Sequence, residues 1–329
     1  MIEGAVALLL GLLAPSLVRY LVSRFRSSYG HEAYGDALQH AALNIRCDSL
    51  WLNMGFWAKT VDFPTACQGG GMAQRHDVRT AKCEAADLAL QLVQHARLDA
   101  TLPRGQSSVL ELGCGCGETF RVWQATFRPD VIDAVTTMRS HAVIAEQRLR
   151  DLTDANLLRD HHLYQRDAIE YTRNPDRRYD AVIALDCAYH FDTRAAFLRN
   201  AYGCLQTGGT LALTDIVMLQ PISKLGAFDR LKQWAVCRLA GVPWTNMVTD
   251  MEEYVTLLQG IGYNNINIRD ISSDVFEPLA AFLEERAGDA NFGVVSRTIW
   301  WEYLAFASVL RWWHRGRQVG FVLIAAQKP

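Results

Sequence analysis

VLELGCGCGETF, residues 109–120, decides the reading of this chain. Val109, Leu110, Glu111 and Leu112 suit a strand and run straight into Gly113, Gly115 and Gly117, after which the pattern turns helical. A buried parallel strand ending in a glycine turn brings backbone N–H groups close to a ligand. The helix start behind it adds further donors and the positive end of a dipole. Glu111 stands two residues before the first glycine. An acid there can accept from a ligand ammonium or hold the glycine turn. With Glu118 it makes the turn acidic, which suits a cationic ligand better than a pyrophosphate.

Outward from this stretch, the totals set limits. The chain has 329 residues, half of them apolar, with a formal net charge of −2. That is room for one α/β domain with a substantial cap, and it gives no reason to expect nucleic acid as a partner. Cys47, Cys67, Cys83, Cys114, Cys116, Cys187, Cys204 and Cys237 form no C-x-x-C pair. A reduced, cytosol-facing protein without a metal site is expected.

Residues 1–28 are expected to form an N-terminal membrane anchor or interfacial helix. An uncharged apolar run at 4–18 is followed by Arg19, Arg24 and Arg26. Positive charges on that side place the globular part in the cytosol, on the membrane surface. Residues 29–105 form an N-terminal lid region whose marked feature is LWLNMGFW at 50–57. Trp51, Phe56 and Trp57 suit a lid over a ligand and an apolar substrate, or equally core staples. A helix over 78–98 then leads into the sheet.

From 106 to 329 strands and helices alternate, with a helical substrate cap at about 218–260 and 275–316. A second strand at 131–135 ends in Thr136 and Thr137, and a third at 162–165 ends ahead of Asp167 and Ala168. The fourth, YDAVIALDCAYHF at 179–191, carries Asp186, Cys187, Tyr189 and His190 at its carboxyl end. In open parallel sheets ligands sit there, and a histidine can accept a proton near neutral pH. His190 is therefore the candidate base, with Tyr189 positioning the acceptor; both could instead cap the strand and pack the next helix. A glycine turn at 205–209 precedes a fifth strand at 210–217, and residues 319–327 form a closing strand.

The series E-x-G-x-G-x-G, Thr136, Asp167, Asp186, the G-G turn and the final strand resembles the class I S-adenosylmethionine (SAM) methyltransferases. The resemblance runs from about Trp51 to Lys328. NMGFW and ALDCAYHF are similar to the sterol, tocopherol and ubiquinone methyltransferases. The resemblance implies a Rossmann-like, seven-stranded α/β sheet and SAM as cofactor. It implies a small apolar or amphiphilic acceptor, lipid-like or a secondary metabolite. Glu111, Gly113, Cys114, Gly115 and Gly117 would hold the methionine half, Thr136 and Thr137 the ribose, Asp167 and Ala168 the adenine, and Asp186 and Cys187 the amino end. Thr136 departs from the family, which has an acid at that place. Two other readings stand beside this one. A dinucleotide fingerprint wants G-x-G-x-x-G, and here Glu118 replaces its last glycine. Asp133, however, lies about where such a fold puts its ribose acid, as an NAD(P)-dependent oxidoreductase would need. The third reading is a membrane-associated SAM-binding protein without turnover.

Overall fold

The computed structural model describes residues 50–51, 53–58, 81–288 and 297–329; the expected anchor at 1–28 lies outside them. Seven strands form one sheet: β1 (Ser108–Leu112), β2 (Val131–Thr136), β3 (Asp160–Gln165), β4 (Tyr179–Ala184), β5 (Leu205–Met218), β6 (Asn264–Asp270) and β7 (Val319–Gln327). Their order is β3-β2-β1-β4-β5-β7-β6. The first five are parallel, and β7 runs antiparallel to both β5 and β6. Strand order therefore reverses between β1 and β4, which opens a crevice beyond their carboxyl ends.

Composition explains the positions. The apolar strands β1, β2 and β4 lie inside, covered on both faces. The edges are the polar strands DHHLYQ (β3) and NNINIRD (β6), whose solvated faces resist further pairing. Side chains alternate between two cores with the period of two of a strand. Val109, Ala181 and Ile183 meet Leu88, Leu92, Trp123, Phe276 and Phe321 on one face. Leu110, Leu112 and Val182 meet Phe197, Tyr254 and Ile324 on the other.

The helices are α1 (Ala81–Ala96), α2 (Leu98–Thr101), α3 (Thr119–Thr126), α4 (Arg139–Asp154), α5 (Ala168–Arg173), α6 (Arg194–Cys204), α7 (Ala227–Ala240), α8 (Trp244–Met247), α9 (Met251–Ile261), α10 (Ser272–Gly288) and α11 (Arg297–Gly316). In α1, Ala85, Leu88, Ala89, Leu92, Val93 and Ala96 make one buried stripe at helical spacing. This helix packs on the sheet itself, so the sheet's covering layer begins ahead of the boundary expected at 106. Helix α9 starts at a capping box between Asp250 and Glu253 and stops at Gly262, whose φ of 113° suits glycine alone.

The expected turn at 205–209 is instead the first part of β5. Leu205 pairs with Tyr179, and the tail captures the glycines: Gly208 N–H donates to Lys328 O at 2.8 Å and Lys328 N–H to Gly209 O at 2.9 Å. The two parts of the cap meet through Trp313 on α11, whose Nε1 donates to Gln233 on α7 at 2.8 Å. No helix among the described residues is long and apolar enough to cross a membrane.

Candidate active site

The turn after β1 is held by its own backbone. Gly113, Gly115 and Gly117 have φ of 73°, 54° and 75°, values that a side chain resists. A Cβ on Gly113 would come within 2.6 Å of Cys187 Sγ, and one on Gly117 within 2.2 Å of the Phe120 ring. Gly113 and Cys114 N–H donate to Val135 O at 2.9 and 3.1 Å, which ties the turn to β2. Among the described residues no hydrogen bond takes the N–H groups of Gly115 and Cys116. A cradle that excludes any Cβ and keeps backbone donors in reserve fits the carboxylate of an amino-acid ligand.

Of the two roles open to Glu111, holding the turn is the one observed. It is buried; Thr119 Oγ1 donates to its Oε1 at 2.7 Å and Trp123 Nε1 to its Oε2 at 2.6 Å. Both oxygens serve α3. Burial pushes this carboxyl up to about 7, with the two hydrogen bonds opposing. Glu118 does not make the turn acidic as expected. Its Oε1 accepts from Arg148 at 2.6 Å and from Leu50 N–H at 2.5 Å, so an arginine on α4 offsets the charge. Arg148 also binds Cys116 O. Burial raises the thiols of Cys114, well above the ordinary range, and of Cys116, to about 11, so neither is a thiolate near neutrality.

The turn after β4 is built from pieces far apart in sequence. Asp186 has a φ of 54°, and its N–H donates to Thr214 Oγ1 at 2.6 Å. Its carboxylate accepts Met54 N–H at 2.6 Å and Tyr189 OH at 2.9 Å. Burial pushes it up to about 6, these two bonds oppose the shift, and nearby Asp215 adds to it. Cys187 Sγ donates to Leu112 O at 3.1 Å and joins the two turns. A short 3-10 turn, Ala188–His190, then presents the histidine. His190 Nδ1 lies 3.3 Å from Gly241 O, and its ring stands 4.4 Å from the Tyr189 ring. The Tyr189 hydroxyl donates to Asp186 and so serves the turn as well.

The lid expectation is also redistributed. Leu50 and Met54 do bond at the carboxyl edge, to Glu118 and to Asp186. Phe56 and Trp57 point away into packing: Phe56 N–H donates to Glu84 O at 2.7 Å, Trp57 Nε1 to Met54 O at 2.9 Å, and the Trp57 ring lies 4.9 Å from Phe282. Trp51 is buried in the same core. Phe56 and Trp57 are core staples, buried in one cluster with α1 and α10.

The remaining predicted residues sit at the carboxyl edge. Thr136 is buried at the last position of β2, and Thr137 is exposed after it. Asp167 caps α5, with Oδ1 accepting Ile169 N–H at 2.8 Å and Glu170 N–H at 3.0 Å; Ala168 is buried as the first helical residue. Asp133, the acid on which a dinucleotide reading depends, is fully buried three residues before the end of β2. It accepts Tyr179 OH at 2.8 Å and pairs with Arg177 at 3.2 Å. It belongs to the core and cannot meet a ribose.

Three groups escaped the sequence reading. Arg148 gave no signal, being one of several arginines on an exposed-looking helix. Asp215 did signal itself as an acid inside the apolar run TLALTDIV; it takes a bidentate Arg194 at 2.8 and 3.0 Å and Tyr254 OH at 2.8 Å. Asn246 lies in an insertion that no periodicity explained, yet its side chain binds Tyr189 O and Phe191 O.

A Rossmann-like sheet with an antiparallel last strand, a glycine turn after β1 and acids at the ends of neighbouring strands defines a class I methyltransferase. Residues 78–268 match the family model described as "Methyltransferase domain", and the chain belongs to that family. It is 24% identical over 270 residues to the erythromycin 3''-O-methyltransferase of Saccharopolyspora erythraea, across 81% of this chain and 78% of that one. It is also 24% identical over 317 residues to the 27-O-demethylrifamycin SV methyltransferase of Amycolatopsis mediterranei, across 91% and 96%. Among solved structures, geranyl diphosphate C-methyltransferase from Streptomyces coelicolor A3(2) superposes with a TM-score of 0.62 at 14% identity, covering 93% of this chain and 96% of that one. The [4+2]-cyclase SpnF gives 0.56 at 19% identity, covering 84% and 88%. These structures share the fold. The protein is a SAM-dependent methyltransferase.

Proposed function

We propose that this enzyme methylates a hydroxyl oxygen on an apolar or amphiphilic acceptor, with His190 as the base. One observation carries the reading. A carbonyl oxygen only accepts, so the contact to Gly241 O makes Nδ1 the donor and leaves Nε2 as the acceptor atom of the neutral ring. An imidazole fixed in that tautomer at the carboxyl end of β4 suits removal of a hydroxyl proton.

SAM supplies an electrophilic methyl group on its sulfonium. The chain's residues do the rest. Backbone N–H groups of Gly115 and Cys116 hold the amino-acid end, with Gly113, Cys114 and Gly117 shaping the cradle. Asp186 and Cys187 border the amino group, Thr136 and Thr137 the ribose, and Asp167 and Ala168 the adenine. Leu50 and Met54 exclude water, and Trp51 backs them from the core. Transfer disperses charge, so positioning, dryness and one proton acceptor suffice. The names of the two curated relatives, an erythromycin 3''-O-methyltransferase and a 27-O-demethylrifamycin SV methyltransferase, support an oxygen acceptor on a secondary metabolite, while the NMGFW and ALDCAYHF resemblance supports a lipid-like one.

The test is incubation of the whole protein with labelled SAM and fractionated lipophilic extract, with mass spectrometry of whatever gains a methyl. His190→Ala should lower incorporation by about 10²–10⁴-fold while SAM affinity, read by calorimetry, is kept. Undiminished incorporation overturns the base assignment, and a product methylated on nitrogen or carbon overturns the acceptor atom.

The apolar run at 4–18 with its trailing arginines further supports a place on the cytosolic membrane surface. Deleting residues 1–26 should then move the protein from the membrane pellet to the supernatant, and continued pelleting refutes that location.

A further inference from the structure

We infer that Asn246 is a positioning residue for His190, so that the acceptor-side insertion sets the geometry of the base. The inference rests on the role proposed above for His190. Asn246 lies on α8 and is 1% exposed. Its Nδ2 donates to Tyr189 O at 3.1 Å and to Phe191 O at 2.6 Å, the carbonyls on either side of His190. Its Oδ1 accepts Arg194 N–H at 2.8 Å. The two carbonyls can only accept and the amide N–H can only donate, so one amide orientation alone satisfies all three bonds. The side chain is a bracket with a single setting.

The bracket is itself anchored. Arg194 Nη1 donates to Asn246 O, and Arg194 Nη2 to Ile216 O at 2.6 Å. The same guanidinium is bidentate on Asp215, which also accepts from Tyr254 on α9. The His190 ring meets Gly241 O, in the short link between α7 and α8. One insertion thus holds His190 twice, by its ring through Gly241 and by its flanking peptides through Asn246. An acceptor that displaced α7 and α8 would shift the base with them. The glycine turn at 113–117 shares none of these bonds, and Asp186 is held separately by Met54 and Thr214, so loss of the bracket should change the histidine far more than SAM binding.

The experiment uses the full chain labelled with ¹⁵N-histidine, with the His190 ring signals assigned by their loss in His190→Ala. In the parent, His190 should appear as the Nδ1–H tautomer. In Asn246→Ala it should become a mixture of tautomers, with methyl incorporation from labelled SAM into the lipophilic extract lowered about tenfold or more. In a His190→Ala background, Asn246→Ala should lower incorporation no further. Retained SAM affinity reports an intact fold. If Asn246→Ala loses it, Asn246→Asp takes its place, because it keeps the shape and the acceptor toward Arg194 while removing both donors. Unchanged histidine signals in a variant that binds SAM overturn the inference. So does an additive loss in the double variant. Full incorporation by His190→Ala alone strikes the base reading instead, and leaves the spectra to decide the geometry.

Discussion

The turns after β1 and β4 sit side by side at the carboxyl edge and meet where Cys187 donates to Leu112 O, yet they are made in opposite ways. The turn at 113–117 takes its shape from three glycines at positive φ and two bonds to the next strand. The turn at 186–191 has three bonds of its own, from Tyr189 OH to Asp186, His190 N–H to Cys187 O and Phe191 N–H to Ala188 O, but its place is set from outside. Met54, Thr214, Gly241 and Asn246 hold it, residues between 28 and 132 positions away. The first can be written into a dozen consecutive residues, whereas the second exists only once the cap has folded onto the sheet. Changes in the cap would therefore move the second turn and leave the shape of the first unaltered.

The largest effect should come from the anchor of the second turn. Arg194→Leu strands the buried carboxylate of Asp215 and should cost about 3–5 kcal/mol in urea denaturation. SAM affinity should survive as methyl incorporation falls; equal loss of both would show that the two turns are not separately supported.

Next in size is Gly113→Ala. The added Cβ meets Cys187 Sγ at 2.6 Å and Cys187 Cβ at 2.9 Å with φ at 73°. The expected cost is about 2–4 kcal/mol, together with loss of SAM binding in calorimetry. Adding Cys187→Ala should restore only part, because the Cβ contact and the φ strain remain. Full recovery would mean that crowding, rather than backbone conformation, shapes the cradle.

The smallest effect concerns Glu111 and sharpens the claim that it serves α3. Its folded-state carboxyl is raised from 4.5 to about 7, so the folded protein holds the proton longer than the unfolded chain. Its contribution is therefore present below about pH 4.5 and is lost as pH rises through 7. Across that window the loss is on the order of 3 kcal/mol. Glu111→Gln can accept from Trp123 and donate to Thr119, and should flatten this slope for a net gain of about 2 kcal/mol at pH 8. Denaturation midpoints at pH 5 and pH 8 read the difference. An unchanged slope in the variant would place the titration elsewhere.

Much of the fold was legible because its signals are local. The closing strand falls at the residues the sequence predicts, 319–327, since an apolar run carries its own ends. The turn expected at 205–209 became strand because its partner, Lys328, lies at the far end of the chain and gives no mark nearby. In the site, the three glycines and Asp186 were visible as residue types at a strand end. The assignment of Trp57 to packing was not, because an aromatic beside a glycine reads alike in a lid and in a core, and only the position of Phe282 separates them.

By itself the sequence determined the glycine cradle and the alternation of buried strands with helices, because backbone conformation and buried-strand patterning act over a few residues. Tertiary structure alone decided what each acid does. Asp133 is a core partner of Arg177, Glu111 a brace for α3, and Asp186 the clasp of Met54. A carboxylate's role follows from which donors surround it and how dry it is, and those donors come from distant parts of the chain that only folding brings together.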